Sequence, residues 1–322
     1  MGQHFLLSAK GRNLSLKKIY KMGEHAAYDL FRAIRWPETN GEAVCPQCGC
    51  IESYDISTRR KFKCKGCHHQ YSVTSGTIFH SRKLDFVDLL AGICLFVTGS
   101  KGMSSVQFSR TMDVQYKTAW VWCHKMRECL ADETDHEKLE GEVEIDGCYI
   151  GGKLRPANYR EARVDRRTKS NRSPRRRVVV ALRERGGRTL PFVRRSEKEG
   201  VELVKGIVQQ GSTIVADEAT HWDALEWAFE TKRINHSLAY SFGGGTHTNW
   251  VESYFARLRK TIDGQHHRVS PKYLYQYAEH AAWIEDHRKE GLLELSKRIV
   301  QAALLAPKSR KFKGYWQRNV TA

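Results

Sequence analysis

The sequence predicts an α+β protein of several domains, on three observations. Two C-x-x-C pairs lie near the N-terminus with fifteen residues between them, apolar residues recur at helical spacing from Leu84 to Leu130, and β-rich runs after residue 140 follow one another before alternating with helical patterns. A chain of 322 residues has room for two or three compact units. With 40% hydrophobic and 28% charged residues it can bury a core, which argues against wholesale disorder.

In chain order, Glu24 to Trp36 reads as a helix stopped by Pro37, within an N-terminal helical segment, 1–43. Cys45-Pro-Gln-Cys48 and Cys64-Lys-Gly-Cys67 follow. Each pair offers two thiolates from one tight knuckle, and Zn²⁺ takes four soft ligands in a tetrahedron, so the pattern predicts a zinc ribbon over 44–82 holding one structural ion. Gly49 and Gly66 are expected where each knuckle turns, and Tyr54 to Phe62 alternates as a hairpin does. Cys50 competes with Cys48 as a ligand, but the symmetric spacing favours Cys48; His68 and His69 read as surface residues. Arg59, Arg60, Lys61, Lys63 and Lys65 make the ribbon basic. Either they grip DNA phosphates or the ribbon only braces the fold.

The block 83–135 resembles a helix-turn-helix: Lys101 to Arg110, a turn at Thr111 to Val114, then a longer helix from Tyr116. On that reading Gln115, Tyr116, Lys117 and Thr118 face base edges; an ordinary helical hairpin has the same pattern. Trp120, Trp122 and Met126 read as core, and Cys94, Cys123 and Cys129 as small buried hydrophobes. Asp132 to Glu140 reads as an acidic linker.

Beyond it, Val143-Glu-Ile-Asp146, the run from Arg177 to Leu182, Thr189 to Val193 and Ser212 to Ala216 read as strands. Helices are expected over Glu197 to Gln209, His221 to Phe229, Asn249 to Thr261 and Lys272 to Lys289. Asp146 and Asp217 each close a strand, and Glu252 lies thirty-five positions after Asp217 on a helix. If the two strands are neighbours, two carboxylates stand side by side and the helix can supply a third. Such a set suits Mg²⁺ or Mn²⁺, and two ions there can stabilise both oxygens of an in-line phosphoryl displacement. Arg259, two helical turns after Glu252, places a cation beside it. Any one of these acids taken alone reads as a turn or cap residue.

The net charge of +18 and pI of 9.6 call for a polyanionic partner, nucleic acid first. The start lacks the apolar core of a signal peptide, the longest apolar run, Leu89 to Thr98, is too short to span a bilayer, and nine cysteines favour metal binding in a reducing compartment over a disulfide framework. A cytoplasmic, nucleoid-associated protein is expected.

Cys45-Pro-Gln-Cys48-Gly, Gly76-Thr-Ile-Phe79, Val143-Glu-Ile-Asp-Gly-Cys-Tyr-Ile-Gly-Gly152, and His247-Thr-Asn-Trp-Val-Glu252 with Arg259-Lys260 together carry a resemblance. From about Phe31 to Lys289 the chain resembles bacterial insertion-sequence transposases of the DDE superfamily, in the subgroup with an N-terminal zinc ribbon. The resemblance implies a ribonuclease-H-like catalytic core over 140–300, a basic tail over 301–322, and metal ligation by Asp146 and Asp217. Relatives carry either an acid or an Asn in the third role, so Asn249 competes with Glu252; the carboxylate is favoured because it binds Mg²⁺ more strongly. The chain departs from many relatives at Gly147 and Cys148, where they carry Glu and a small or hydroxyl residue. Arg160, Arg163, Arg166, Arg167, Lys169, Arg172, Arg175, Arg176 and Arg177 fill a loop expected between the first two core strands, as a phosphate-gripping arm or a solvated loop. Lys260 joins Arg259 at phosphate. His221 and His247 are expected near the acids in supporting roles. The implied activity is metal-dependent DNA strand cleavage and transfer at the inverted-repeat ends of a mobile element, by an oligomer of the chain that pairs two ends. The rivals are a DNA-binding regulator with an inactive core and a nuclease that cuts without joining.

Overall fold

The structure, a computed structural model, describes residues 4–133, 137–152, 157–165, 168, 171, 173–234, 247–309 and 311–312. It divides into two compact units, one formed by residues 1–134 with 287–322 and the other by 135–286. Among the described residues no helix is long and apolar enough to cross a membrane.

In the first unit, α1 (Leu16–Arg35) is capped by Ser15 and kinks at Gly23, whose φ of 78° breaks the helix just before the expected Glu24 start. Its Phe31 meets Phe86 and Phe79 in edge and tilted contacts. The ribbon is a three-stranded antiparallel sheet of β1 (Ser53–Ile56), β2 (Lys61–Cys64) and β3 (Gln70–Tyr71). Then come α2 (Phe86–Thr98), α3 (Ser105–Thr111) and α4 (Tyr116–Glu133). Ser104 caps α3 by accepting from the Gln107 N–H, a bond worth about 1 kcal/mol. The α3–α4 turn passes through Asp113 in the left-handed region. Phe108 stacks on Trp122 at 4.6 Å over Gly92, where an added Cβ would lie 3.0 Å from the Phe108 ring. Met126, Cys94, Cys123 and Cys129 are buried as expected, while Trp120 is partly buried against His124 and Phe312.

The last helix, α8 (Leu292–Leu305), belongs to this unit, where it packs on α1, α2 and α4. The sequence places most of it in the core up to residue 300 and begins a basic tail at 301. Instead Ile299, Val300, Ala302, Ala303 and Leu304 bury one continuous helical face, and Phe312 is buried beyond it. Residues 313–322 of that tail lie outside the described residues.

The second unit is built on a five-stranded sheet of β4 (Glu142–Ile150), β5 (Arg177–Glu184), β6 (Thr189–Arg194), β7 (Thr213–Asp217) and β8 (Glu230–Ile234), in spatial order β6-β5-β4-β7-β8. The first three are antiparallel neighbours; β7 and β8 run parallel to β4. Counted within the unit this order is 3-2-1-4-5, the ribonuclease-H-like arrangement. Alternation along β5 explains the layers. Val178, Val180 and Leu182 face α5 (Gly200–Ile207) with Val143, Ile145 and Ile214, whereas Val179 and Ala181 face α6 (Asn249–Arg259) and α7 (Leu274–Asp286) with Cys148, Tyr254 and Phe255. Two expectations fail here. His221 to Phe229 is not an α-helix; a 3₁₀ turn over Thr220–Leu225 buries Trp222 and Leu225 and then yields to β8, a strand the alternation did not reveal. The helix expected to run to Thr261 stops at Arg259 and passes into a π-helix, Lys260–His266.

Candidate active site

Asp146 and Asp217 meet through strand register. β4 and β7 pair with Val143 opposite Ile214 and Glu144 opposite Val215. Continuing that register two residues beyond its last pair would bring Asp146 opposite Asp217. Asp146 does not close its strand, contrary to expectation: β4 continues to Ile150 against β5, and only its pairing with β7 ends here.

The electrostatics agree with the three acids lying within reach of one another. Burial raises Asp146 to about 6, with Asp217 and Glu252 pushing in the same direction and the Gly147 N–H and Arg259 opposing. Its Oδ1 accepts the Gly147 N–H at 2.7 Å, and Asp217 Oδ1 accepts the Ala219 N–H at 3.2 Å. Glu252 is half-buried and accepts from the Thr248 hydroxyl at 2.9 Å, whereas Asn249 is exposed at the first position of α6. The Arg259 charge acts on Asp146 and also lowers Cys148, a thiol that burial pushes up.

The first turn of α6 is fixed by a residue the sequence reading passed over. Glu144, fully buried on β4, accepts the Trp250 N–H at 2.9 Å and the Val251 N–H at 3.0 Å. Its other oxygen meets Arg185 Nε at 3.0 Å and His247 Nδ1 at 3.2 Å. His247 therefore supports the helix start and is not turned to the acids. A second missed residue is Glu197, half-buried beside Asp146 and Asp217 and raised to about 7 by burial and by those two charges, against Arg176. His221 Nε2 lies 3.5 Å from Glu197 Oε2. The signal for Glu144 was an acid two positions from Asp146 and so on the same strand face; no local pattern marks Glu197.

Two basic hollows flank Tyr149. One, of about 1330 Å³, is lined by Arg175, Arg259, Asp263, Arg268 and Lys272; the other, of about 660 Å³, by Arg176, Arg177, Arg195, Glu197 and His221. Arg176 stacks over the Tyr149 ring at 4.2 Å. Lys260 is exposed at the start of the π-helix. Arg166, Arg167, Lys169 and Arg172 lie outside the described residues.

In the first unit, the Sγ atoms of Cys45, Cys48, Cys64 and Cys67 all lie within 4.8 Å of one another. The Cys45–Cys67 and Cys48–Cys64 separations are 3.6 and 3.5 Å, close to the edge of about 3.8 Å that a tetrahedron with Zn–S bonds of about 2.3 Å requires. The Cys67 and Gly66 N–H groups point at the Cys64 sulfur and hold its thiol down to about 6, which favours a thiolate. The donor set thus fits one structural zinc. Cys50 stays outside the cluster, facing the Glu52 carbonyl. Gly49 takes the left-handed turn after the first knuckle, but its counterpart after the second is His68, with φ of 60°, not Gly66. His68 and His69 are exposed, as are Lys61, Lys63 and Lys65. Arg60 is not available to phosphate in the way expected: it pairs with Glu24 and lies over the Tyr28 ring. Gln115, Tyr116, Lys117 and Thr118 are all exposed at the start of α4.

Residues 138–286 match the family model of the ISXO2-like transposase domain, and residues 22–70 match that of the transposase zinc-ribbon domain. The chain belongs to the insertion-sequence transposases with an N-terminal zinc ribbon. Their domain model spans the whole five-stranded sheet with α6 and α7, so Asp146, Asp217 and Glu252 all fall inside it. Among solved structures, a chain described as "Crystal structure of the Mos1 Strand Transfer Complex" is similar at 9% identity with a TM-score of 0.22, over 64% of this chain and 77% of that one. No curated protein matches the chain.

Within this transposase the acids are spread more widely than the thiols. Among the described residues, the four cysteines are the one set of three or more ligand residues drawn within 4.8 Å. The acids still fit divalent cations: they are hard oxygen donors that act on one another, and burial first, then the Asp217 and Glu252 charges, hold a proton on Asp146 above its ordinary range, which a bound cation would relieve.

Proposed function

We propose that this transposase cleaves and joins DNA at Asp146, Asp217 and Glu252, and that it acts on the ends of its own mobile element. The observation that carries the reading is that the Asp217 and Glu252 charges both act on Asp146, with Asp146 and Asp217 each two residues beyond the last recorded pair of the parallel strands β4 and β7. These three carboxylates would hold Mg²⁺ or Mn²⁺; when bound, such ions supply Lewis-acid stabilisation of the attacking and leaving oxygens. Asn249 is the alternative third ligand, and its exposed position at the helix start supports it less. Arg259 faces the same acids and holds the scissile phosphate in line. The reaction has two displacements. Water oxygen attacks phosphorus, the P–O3′ bond breaks, and the 3′ oxygen leaves to become a 3′-OH. That hydroxyl then attacks a phosphate of target DNA, releasing another 3′-OH. Lys260, Arg175, Arg176 and Arg177, with Arg166 and Arg167, supply positive charge for the DNA backbone, and Lys117 and Thr118 lie where the second helix of a helix-turn-helix reads bases. Pairing two element ends calls for at least two copies of the chain.

The test is a strand-transfer assay with duplexes carrying the element's terminal repeats. Cleavage and joining in Mg²⁺ are expected from the natural chain and not from Asp146→Ala or Asp217→Ala; joined product from Asp146→Ala overturns the reading. A second reading, a DNA-binding regulator with an inactive core, draws on the wide spacing of the acids. Mn²⁺ titration separates the two, since a regulator shows no binding that depends on Asp146.

A further inference from the structure

Glu197 follows β6 at the start of a 3₁₀ turn, Glu197–Glu199. The reciprocal cap of that turn joins Ser196 to Glu199, so the fold employs Glu199 and leaves Glu197 without a capping role. Its carboxyl group instead lies directly over Gly147, the residue after Asp146. A Cβ built on Gly147 would come within 2.5 Å of Glu197 Cγ and 2.7 Å of its Cδ and Oε1. Any side chain at 147 would expel this carboxylate. Gly147 has ordinary backbone angles, so the close approach, not the backbone, requires a glycine there.

The arrangement is unfavourable for an acid with nothing to bind. Glu197 is half-buried beside Asp146 and Asp217, and both repel it. Its ion-pair partner among the described residues is His221, at 3.5 Å. Burial lowers the basicity of His221 and leaves its Nε2 without a hydrogen bond. Arg176 offsets part of that repulsion from a distance. The carboxylate held over Gly147 thus faces two further acids with one imidazole as its near partner, and a divalent cation among the acids would supply the charge they lack. The two faces of the sheet complete the picture: Asp146 and Glu252 lie on the α6 face, and Glu197 reaches over Gly147 from the α5 side.

We infer that Glu197 is a fourth carboxylate ligand of the divalent-cation site, admitted by Gly147, with His221 as the positioning residue behind it. This inference rests on the reading of Asp146 and Asp217 proposed above. Glu197 has four oxygen lone-pair sites, and one of its oxygens can face a cation while the other faces His221.

Mn²⁺ binding to the full chain, followed by the loss of the free-ion electron paramagnetic resonance signal, tests it without any need for turnover. Glu197→Gln and Gly147→Ala are each expected to weaken Mn²⁺ binding by about tenfold or more. Asp146→Asn serves as the reference for the whole site. In metal-free buffer Glu197→Gln should melt at or above the natural chain, because it removes a repelled charge. Natural Mn²⁺ affinity in Glu197→Gln, with binding lost in Asp146→Asn, overturns the inference and leaves the parent reading standing. Binding that is indifferent to Asp146 overturns both. A lower melting temperature for metal-free Glu197→Gln assigns the residue to the fold and likewise overturns the inference.

Discussion

The carboxylate of Glu144 accepts the backbone N–H of Val251 at 3.0 Å, which ties the first turn of α6 to the strand that carries Asp146. The same oxygen accepts from Trp250, and a carboxylate at a helix N-terminus also meets the positive end of the helix dipole. This clamp sets where Glu252 enters the site, one residue beyond Val251. Glu144→Ala leaves two buried N–H groups and Arg185 without this acceptor. We expect a loss of about 3 kcal/mol, read from urea unfolding, together with lost strand transfer. An unchanged unfolding midpoint would show that α6 is held by its apolar face alone.

The acids themselves predict a pH profile. Asp146 rises from its ordinary 3.8 to about 6 in the folded chain. Once pH passes 3.8, the native state keeps a proton that the unfolded chain has released, so the contribution of this group to the stability of the metal-free protein is largest below that value. Stability should fall as pH climbs to about 6, by at most about 3 kcal/mol from this group. Glu197, raised to about 7, extends the slope upward. Thermal melts in chelator across pH 4 to 8 check this: Asp146→Asn should flatten the lower part of the slope, and Mn²⁺ should restore stability at the neutral end.

For the ribbon, metal analysis should find about one zinc per chain. Cys64→Ser should abolish it and Cys50→Ser should retain it, because Cys50 lies outside the cluster. Loss of zinc on replacing Cys50 would mean that the knuckle uses a different set of thiols.

DNA binding separates two basic residues that look alike in the sequence. Lys63 is exposed, and Lys63→Ala should reduce the slope of log affinity against log salt by about 1. Arg60 is engaged by Glu24 and Tyr28, so Arg60→Ala should leave that slope unchanged and cost about 1 kcal/mol of stability instead. Fluorescence anisotropy with a random duplex at several salt concentrations measures the first effect, and denaturant unfolding the second. Equal slopes for the natural chain and Lys63→Ala would remove the ribbon from the DNA interface.

What the chain spells out by itself is whatever short-range pattern governs. Thiol spacing dictated the zinc cluster, since two tight knuckles can offer four sulfurs in few other ways. Two-residue alternation gave β4 and short apolar runs gave β5 and β7, and hence the acids on β4 and at the end of β7. Tertiary structure decided what depends on contacts between distant segments. Trp222 and Leu225 turned an apparent helix into a buried 3₁₀ turn, α8 left the second unit because its apolar face packs on α1, α2 and α4, and Arg60 swung to Glu24. Glu197 is the clearest case. Fifty positions separate it from Gly147, and neither residue carries a local signal for the other. Only when the chain folds does the missing side chain at Gly147 become the space that Glu197 occupies.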